Sequence, residues 1–216
     1  MLGSPHADWE KDDECFLQTL LTGDRVAGLS IARAAISRLG ITYFYEQVVM
    51  QSLARIEHLR AIDLISTAQQ RVAIAFAQTI VALLHVEFPW PLPGPRALIA
   101  HTGAGRYGLT AQLVADLLAL DGWETGFVDA DLPVAELLDA MGVLRPRLAA
   151  CVVTQSSDLV KARELVAELR ATSPACKTLI SGDAATLGAM DAAMLGADAI
   201  TFTASQLVEE ARSWKV

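Results

Sequence analysis

The chain has 216 residues, 53% of them hydrophobic and 19% charged, which supplies apolar surface for one large domain or two small ones and excludes a large multidomain enzyme. Its 25 acidic against 17 basic residues leave a formal charge of -8, which repels a phosphate backbone and argues against direct binding of DNA or RNA. Three widely spaced cysteines, Cys15, Cys151 and Cys176, fit reduced thiols in a cytoplasm better than a disulfide framework.

Residues 1–8 read as a disordered tail, polar and acidic, with no basic stretch followed by an apolar one that would mark a secretory signal. From 9 to 87 there is no strand alternation and no proline. The apolar spacing predicts helices over 9–22, 25–38, 42–61 and 65–87, broken at Thr22-Gly23-Asp24, at Gly40 and around Ile62-Asp63. Ser66 is a plausible start for the fourth. Short loops between helices of this length imply a four-helix bundle. The longest apolar run, Val72 to Val86, is interrupted by Gln78 and Thr79 and falls short of the roughly 20 residues of a membrane span, so a membrane role is not expected.

Four of the eight prolines fall in Phe88-Pro89-Trp90-Pro91-Leu92-Pro93-Gly94-Pro95. Proline fixes φ and lacks an N–H, so neither a helix nor a central strand crosses this stretch, and 88–95 reads as a linker. Beyond it, over 96–216, the pattern repeats strand, turn, helix. Strands are predicted at 97–101, 124–128, 148–153, 178–181 and 199–202, with helices over 106–120, 133–142, 157–171, 184–195 and 204–214. Five short apolar strands alternating with helices imply an α/β fold with a flavodoxin-like, parallel five-stranded sheet covered on both faces.

Such sheets bind ligands beyond the carboxyl ends of their strands. The first such loop, His101 to Gly108, contains Gly103-x-Gly105-x-x-Gly108 between a strand and a helix, the context of a dinucleotide fingerprint. Asp129 ends the second strand where a ribose-binding acid would stand. A dinucleotide-binding enzyme is therefore one alternative. Such loops also occur wherever a strand turns tightly into a helix.

A resemblance covers roughly 9–214. Gly122-Trp123-Glu124, then Phe127-Val128-Asp129-Ala130-Asp131-Leu132-Pro133, Leu113-Val114-Ala115-Asp116-Leu117-Leu118 and Gly196-Ala197-Asp198-Ala199 resemble the strings of the cobalamin-binding-domain family. Leu20-Leu21-Thr22-Gly23-Asp24 is similar to the first helix and turn of its helical cap. The resemblance implies a helical bundle capping a corrin held over a Rossmann-like domain. It also implies an axial histidine in an Asp/Glu-x-His-x-x-Gly string, but those places hold Gly105, Tyr107 and Thr110. The residues facing the upper side of the corrin in photoreceptor members fall at Arg60, Gln70 and Arg71. A phenol with a pKa near 10 replaces imidazole poorly, so histidine-on cobalt ligation at position 107 is not expected.

The remaining candidates lie at other strand ends. His101 could turn toward a ligand or serve as a hydrogen-bonded structural residue. Thr154, Gln155, Ser156 and Ser157, with Ser181-Gly182-Asp183, resemble the walls of the channel for cobalamin's nucleotide tail. As helix caps, Ser156 or Ser157 and Asp183 would serve equally. No metal-protease, paired-cysteine or nucleophile-elbow string occurs. The reading that follows is a non-enzymatic sensor or antirepressor-like regulator of transcription, with another tetrapyrrole or planar ligand possible between bundle and sheet. It would act through a regulatory partner protein and could form a homo-oligomer. The cleft rim, with Arg60, Arg71, Arg106 and Tyr107, is the expected partner face. A corrinoid carrier or photoreceptor with non-standard ligation is the other alternative.

Overall fold

The computed structural model describes residues 6–92, 94–101, 108–129, 132–188 and 190–215, and the chain divides between Phe88 and Pro89 into two compact units. In the helical unit, α1 (His6–Thr22) begins within the stretch read as a tail. Asp24 starts α2 (Arg25–Leu39) by accepting the Ala27 N–H at 3.0 Å. The predicted breaks coincide with backbone turns: Gly23 and Gly40 have φ of 76° and 87°, and Asp63 has φ of 57°. Ser66 starts α5 (Thr67–His85) with a reciprocal box, its Oγ accepting the Gln69 N–H at 3.1 Å while the Gln69 side chain accepts the Ser66 N–H at 2.8 Å.

The segment between those turns is not a uniform α-helix. α3 (Ile41–Tyr43) runs through a π-helical stretch, Phe44–Met50, into α4 (Gln51–Ala61) with helical backbone at both junctions. Phe44, Tyr45, Val48 and Val49 are all buried. The wider turn of a π-helix lets two adjacent apolar side chains per turn face inward, which explains why this pattern is accommodated there. Phe16 of α1 meets Phe44 edge-on, with ring centroids 5.4 Å apart. Around that core the helices are tied by exposed ion pairs: Arg38 to Asp12, Arg33 to Glu87, and Arg55 to Asp13 at 3.1 Å and to Glu14.

The second unit holds β1 (Arg96–His101), β2 (Glu124–Asp129), β3 (Leu148–Val152), β4 (Lys177–Ser181) and β5 (Ala199–Thr201) in one parallel sheet ordered β2-β1-β3-β4-β5. That is the flavodoxin-like order, whose switch point lies between β1 and β3. α6 (Gly108–Leu120) and α11 (Ala204–Arg212) pack with the sheet and with each other. α7 (Val134–Leu144) and α8 (Leu159–Thr172) share with it a core that includes Leu98, Ala149, Cys151, Leu165 and Ile180. Strands covered on both faces explain the unbroken apolar runs in the sequence.

Four expectations are corrected. The helix read over 184–195 is two short ones, α9 (Ala184–Leu187) and α10 (Ala192–Leu195). Gly188 has φ of 59°, which ends the first, and Asp191 accepts the Met194 N–H at 2.8 Å, which starts the second. Before α8 stands a 3-10 turn, Ser156–Asp158. Neither Ser156 nor Ser157 caps it, because Gln155 and Asp158 form the capping box, with the Asp158 carboxylate accepting the Gln155 N–H at 3.2 Å. β5 stops at Thr201, where the Gln206 side chain takes the Phe202 N–H at 2.8 Å. The last helix ends at Arg212.

Candidate functional site

Parallel registry aligns the carboxyl ends of all five strands. Asp129 pairs with His101, His101 with Val152, Val152 with Ser181, and Ser181 with Thr201. These residues form one row across the sheet, and by strand alternation His101, Val152, Ser181 and Thr201 belong to one face of it. The rows behind are apolar, with Ala100, Cys151 and Ile180 in the core. His101, Ser181 and Thr201, on either side of apolar Val152, place hydrogen-bonding groups where ligands of open α/β sheets bind.

His101 is 1% exposed, and its Nε2 lies 3.2 Å from the Thr154 hydroxyl, so the imidazole bridges β1 and the loop after β3 across the switch point. The Thr154 carbonyl accepts from the Thr186 hydroxyl at 3.4 Å, and the Thr186 N–H donates to Asp183 Oδ1 at 2.7 Å. Asp183 is therefore a helix cap, as one reading of the sequence had it. Ser181 is buried at the end of β4, and its carbonyl accepts the Val153 N–H at 2.8 Å. Gly182 follows because nothing larger fits: a Cβ there would stand 2.7 Å from the Val153 carbonyl oxygen and 3.3 Å from Leu187 Cγ. The Gly182 N–H closes the ladder on the Thr201 carbonyl at 3.1 Å.

Thr201 and Thr186 were missed in the sequence. Thr201 is 3% exposed, and its buried hydroxyl oxygen has no hydrogen-bond partner among the described residues. Buried polar atoms are nearly always paired, so this hydroxyl is an exception that marks the end of β5. The signal was a single polar residue closing the apolar run Ala199-Ile200-Thr201.

The structure thus gathers His101, Thr154, Ser181, Gly182 and Asp183 along β1, β3 and β4. Ser156 is exposed on the 3-10 turn, and Thr110 lies half-buried in the first turn of α6. Gly103, Gly105, Arg106 and Tyr107 lie outside the described residues, as does the side chain of Asp129. In the helical unit Arg60 donates to Asp63 at 2.7 Å and to the Thr67 hydroxyl at 2.9 Å, spanning the turn between α4 and α5. Gln70 is buried and Arg71 exposed, so only the first of these neighbours on α5 faces the interior of the helical unit.

Neither sheet thiol offers a nucleophile at neutral pH. Burial, reinforced by Cys176, pushes the Cys151 thiol up to about 12, and burial followed by the charge of Asp198 pushes Cys176 to about 11. Asp198, in the Gly-Ala-Asp string, is an anchor at the other end of the sheet. Its carboxylate accepts the Thr178 N–H at 2.8 Å, the Thr178 hydroxyl at 2.9 Å and Lys177 Nζ at 3.1 Å. Among the described residues no group of three or more His, Cys, Asp or Glu is placed to hold a metal ion, and no helix is long and apolar enough to cross a membrane.

No protein-family model matches the chain, and no curated protein matches it. Among solved structures it is similar to the monomethylamine corrinoid protein of Methanosarcina barkeri, with a TM-score of 0.73 and 11% identity over 94% of this chain and 98% of that one. Two others reach a TM-score of 0.49: a cobalamin-binding protein from Desulfitobacterium hafniense DCB-2, 14% identical over 92% of this chain and 96% of that one, and the methanol:cobalamin methyltransferase complex MtaBC from Methanosarcina barkeri, 12% identical over 99% and 85%. The chain therefore has the fold of the cobalamin-binding-domain family, a helical unit followed by a Rossmann-like unit with a five-stranded parallel sheet.

Proposed function

We propose that the chain is a non-enzymatic tetrapyrrole-binding module of corrinoid type that reports the state of its ligand to a partner protein. The observation that supports it is the polar row closing the sheet, His101, Ser181 and Thr201, with Thr154 beside it and a buried hydroxyl left to pair. These groups fit the polar side arms and nucleotide tail of a corrinoid, which would take hydrogen bonds from the Thr201 and Ser181 hydroxyls in the lee of Gly182. A bound corrinoid supplies a redox- and ligand-responsive metal centre. What this chain adds is position: a buried imidazole fixed by Thr154, and strand ends locked by the Val153 and Gly182 amides. Tyr107, standing where the resemblance implies a histidine, would leave a bound corrinoid without an imidazole from that loop.

A corrinoid carrier is the second reading, favoured by the likeness in fold to the monomethylamine corrinoid protein. A dinucleotide enzyme is the weaker alternative, since the flavodoxin-like order β2-β1-β3-β4-β5 lacks the second mononucleotide-binding half of the dinucleotide fold. Titration of the purified chain with hydroxocobalamin, followed by its absorption spectrum, separates the three. The expected result is saturable binding without the spectrum of a protein imidazole on cobalt, weakened by Thr201→Val. A histidine-ligated spectrum would replace the sensor reading with the carrier. Stabilisation by a nicotinamide dinucleotide, with no response to hydroxocobalamin or haem, would overturn both.

A further inference from the structure

On the outer side of the sheet unit, α8 and α10 enclose an open groove of about 530 Å³. Its lining includes uncovered apolar side chains, with Val160 74% exposed and Met194 62%, together with Ala167. Arg163 and Arg170 stand on the same α8 stripe, two turns or about 10.5 Å apart along the axis. A chain of formal charge -8 thus presents, in and beside this groove, Arg163, Arg170 and Lys177 against the carboxylates of Glu164 and Asp198. Arg170 is only loosely engaged, 3.8 Å from an Asp198 already held by Lys177 and Thr178.

We infer that this groove docks an acidic amphipathic helix of a partner protein. Two charges separated by two turns around an apolar gap match a helix carrying carboxylates at i and i+7 and apolar residues at i+3 and i+4. The carboxylates reach Arg163 and Arg170, and the apolar pair fills the space beside Val160 and Met194. Arginine is the cation suited to this contact, because its planar fork pairs with a carboxylate at two points. Glu164 in the lining and Asp198 beside Arg170 are the like-charged groups that the incoming helix meets. The site stands on the outer helices and needs no ligand at the strand ends, so it holds whether or not the tetrapyrrole reading does.

The test uses the full chain and two fluorescent, helix-stapled peptides of about 15 residues, one with Glu at i and i+7 and Leu at i+3 and i+4, the other with Lys replacing Glu. Anisotropy should show the acidic peptide binding about tenfold or more tightly than the basic one, with that preference reversed in Arg163→Glu/Arg170→Glu. Met194→Ser should weaken the acidic peptide, and Glu164→Gln should strengthen it. These side chains are exposed, and circular dichroism confirms that each variant is folded. Equal binding of both peptides, or an acidic peptide indifferent to Met194→Ser, would overturn the inference. So would self-association of the chain abolished by the arginine reversal, which would assign the groove to a second copy. Hydroxocobalamin titration of the same variants keeps the readings apart: lost peptide binding with intact corrinoid binding sinks only the groove.

Discussion

The two units use their polar groups differently: the helical unit buries Thr19, Ser52 and Gln70 at scattered places, whereas the sheet unit lines up buried polar groups at its strand ends. In the helical unit the charged partners lie outside, joining α1 to α2 and α4 through Asp12, Asp13 and Glu14 around a core of Phe16, Phe44, Tyr45 and Val48. In the sheet unit, polar side chains go inside: His101, Ser181 and Thr201 along the carboxyl edge, Thr178 at the amino end, and Asp116 on α6. Exposed ion pairs are screened and contribute little each, whereas a buried polar atom requires a specific partner. The helical unit is therefore held chiefly by apolar packing, and the sheet unit is where position and chemistry are fixed together.

The largest effect that would break this contrast is expected at Gly182. Gly182→Ala drives a methyl group against the Val153 carbonyl and Leu187, and overpacking of this kind costs about 1–3 kcal/mol. Denaturant unfolding of the variant measures it. A midpoint equal to the parent's would show that the strand ends yield, and the fixed floor would be wrong.

Smaller is an alkaline loss of stability carried by the sheet unit. In the unfolded chain both buried thiols titrate near their ordinary value of 9.0, while in the folded chain Cys151 stands at about 12 and Cys176 at about 11. Above pH 9 the unfolded state releases protons that the folded state keeps, so this contribution is complete below pH 9 and falls as the pH rises toward 12. Cys151→Ala should flatten that part of the stability profile. At pH 8 a thiol reagent should modify exposed Cys15 well before the buried pair. Equal rates at all three cysteines would contradict the burial on which the comparison rests.

The smallest effect is expected in the helical unit's charges. Arg55 is largely exposed and pairs with Asp13 and Glu14, so Arg55→Ala should cost about 0–1 kcal/mol at low salt, and the difference should shrink in concentrated salt. A larger and salt-insensitive cost would move the Asp13, Ser52 and Arg55 cluster into the class of buried networks.

Much of this was legible beforehand because each kind of element leaves its own period. The prolines of 88–95 and the change from helical spacing to apolar runs fall where the chain divides, and Ser66 and Asp183 act as the caps their side chains suit. The broken helix was not read, although Gly188 and Asp191 stood in plain view, because Ala, Leu and Met on either side all favour helix. The alignment of His101, Ser181 and Thr201 was hidden for a different reason. Strand ends can be located one by one, but their common row comes from registry, which follows from packing across the sheet. Asp198 shows the converse: a string noted for its likeness to a ligand-binding family works here as a clamp on Lys177 and Thr178.

The π-helical stretch sets an angle as well as a local shape. Because Phe44–Met50 passes into Gln51–Ala61 without interruption, every later side chain inherits the rotation accumulated through the wide turns. An ordinary α-helix advances about 100° per residue and the wider π turns advance less, so rewinding all seven residues as an α-helix would swing the following helix by a sizeable angle. Leu53 and Ile56 would leave the core, and Arg55 would turn away from Asp13. Seven residues thus act as a phase shifter, aligning an apolar stripe that simple helical winding would have aimed at the solvent.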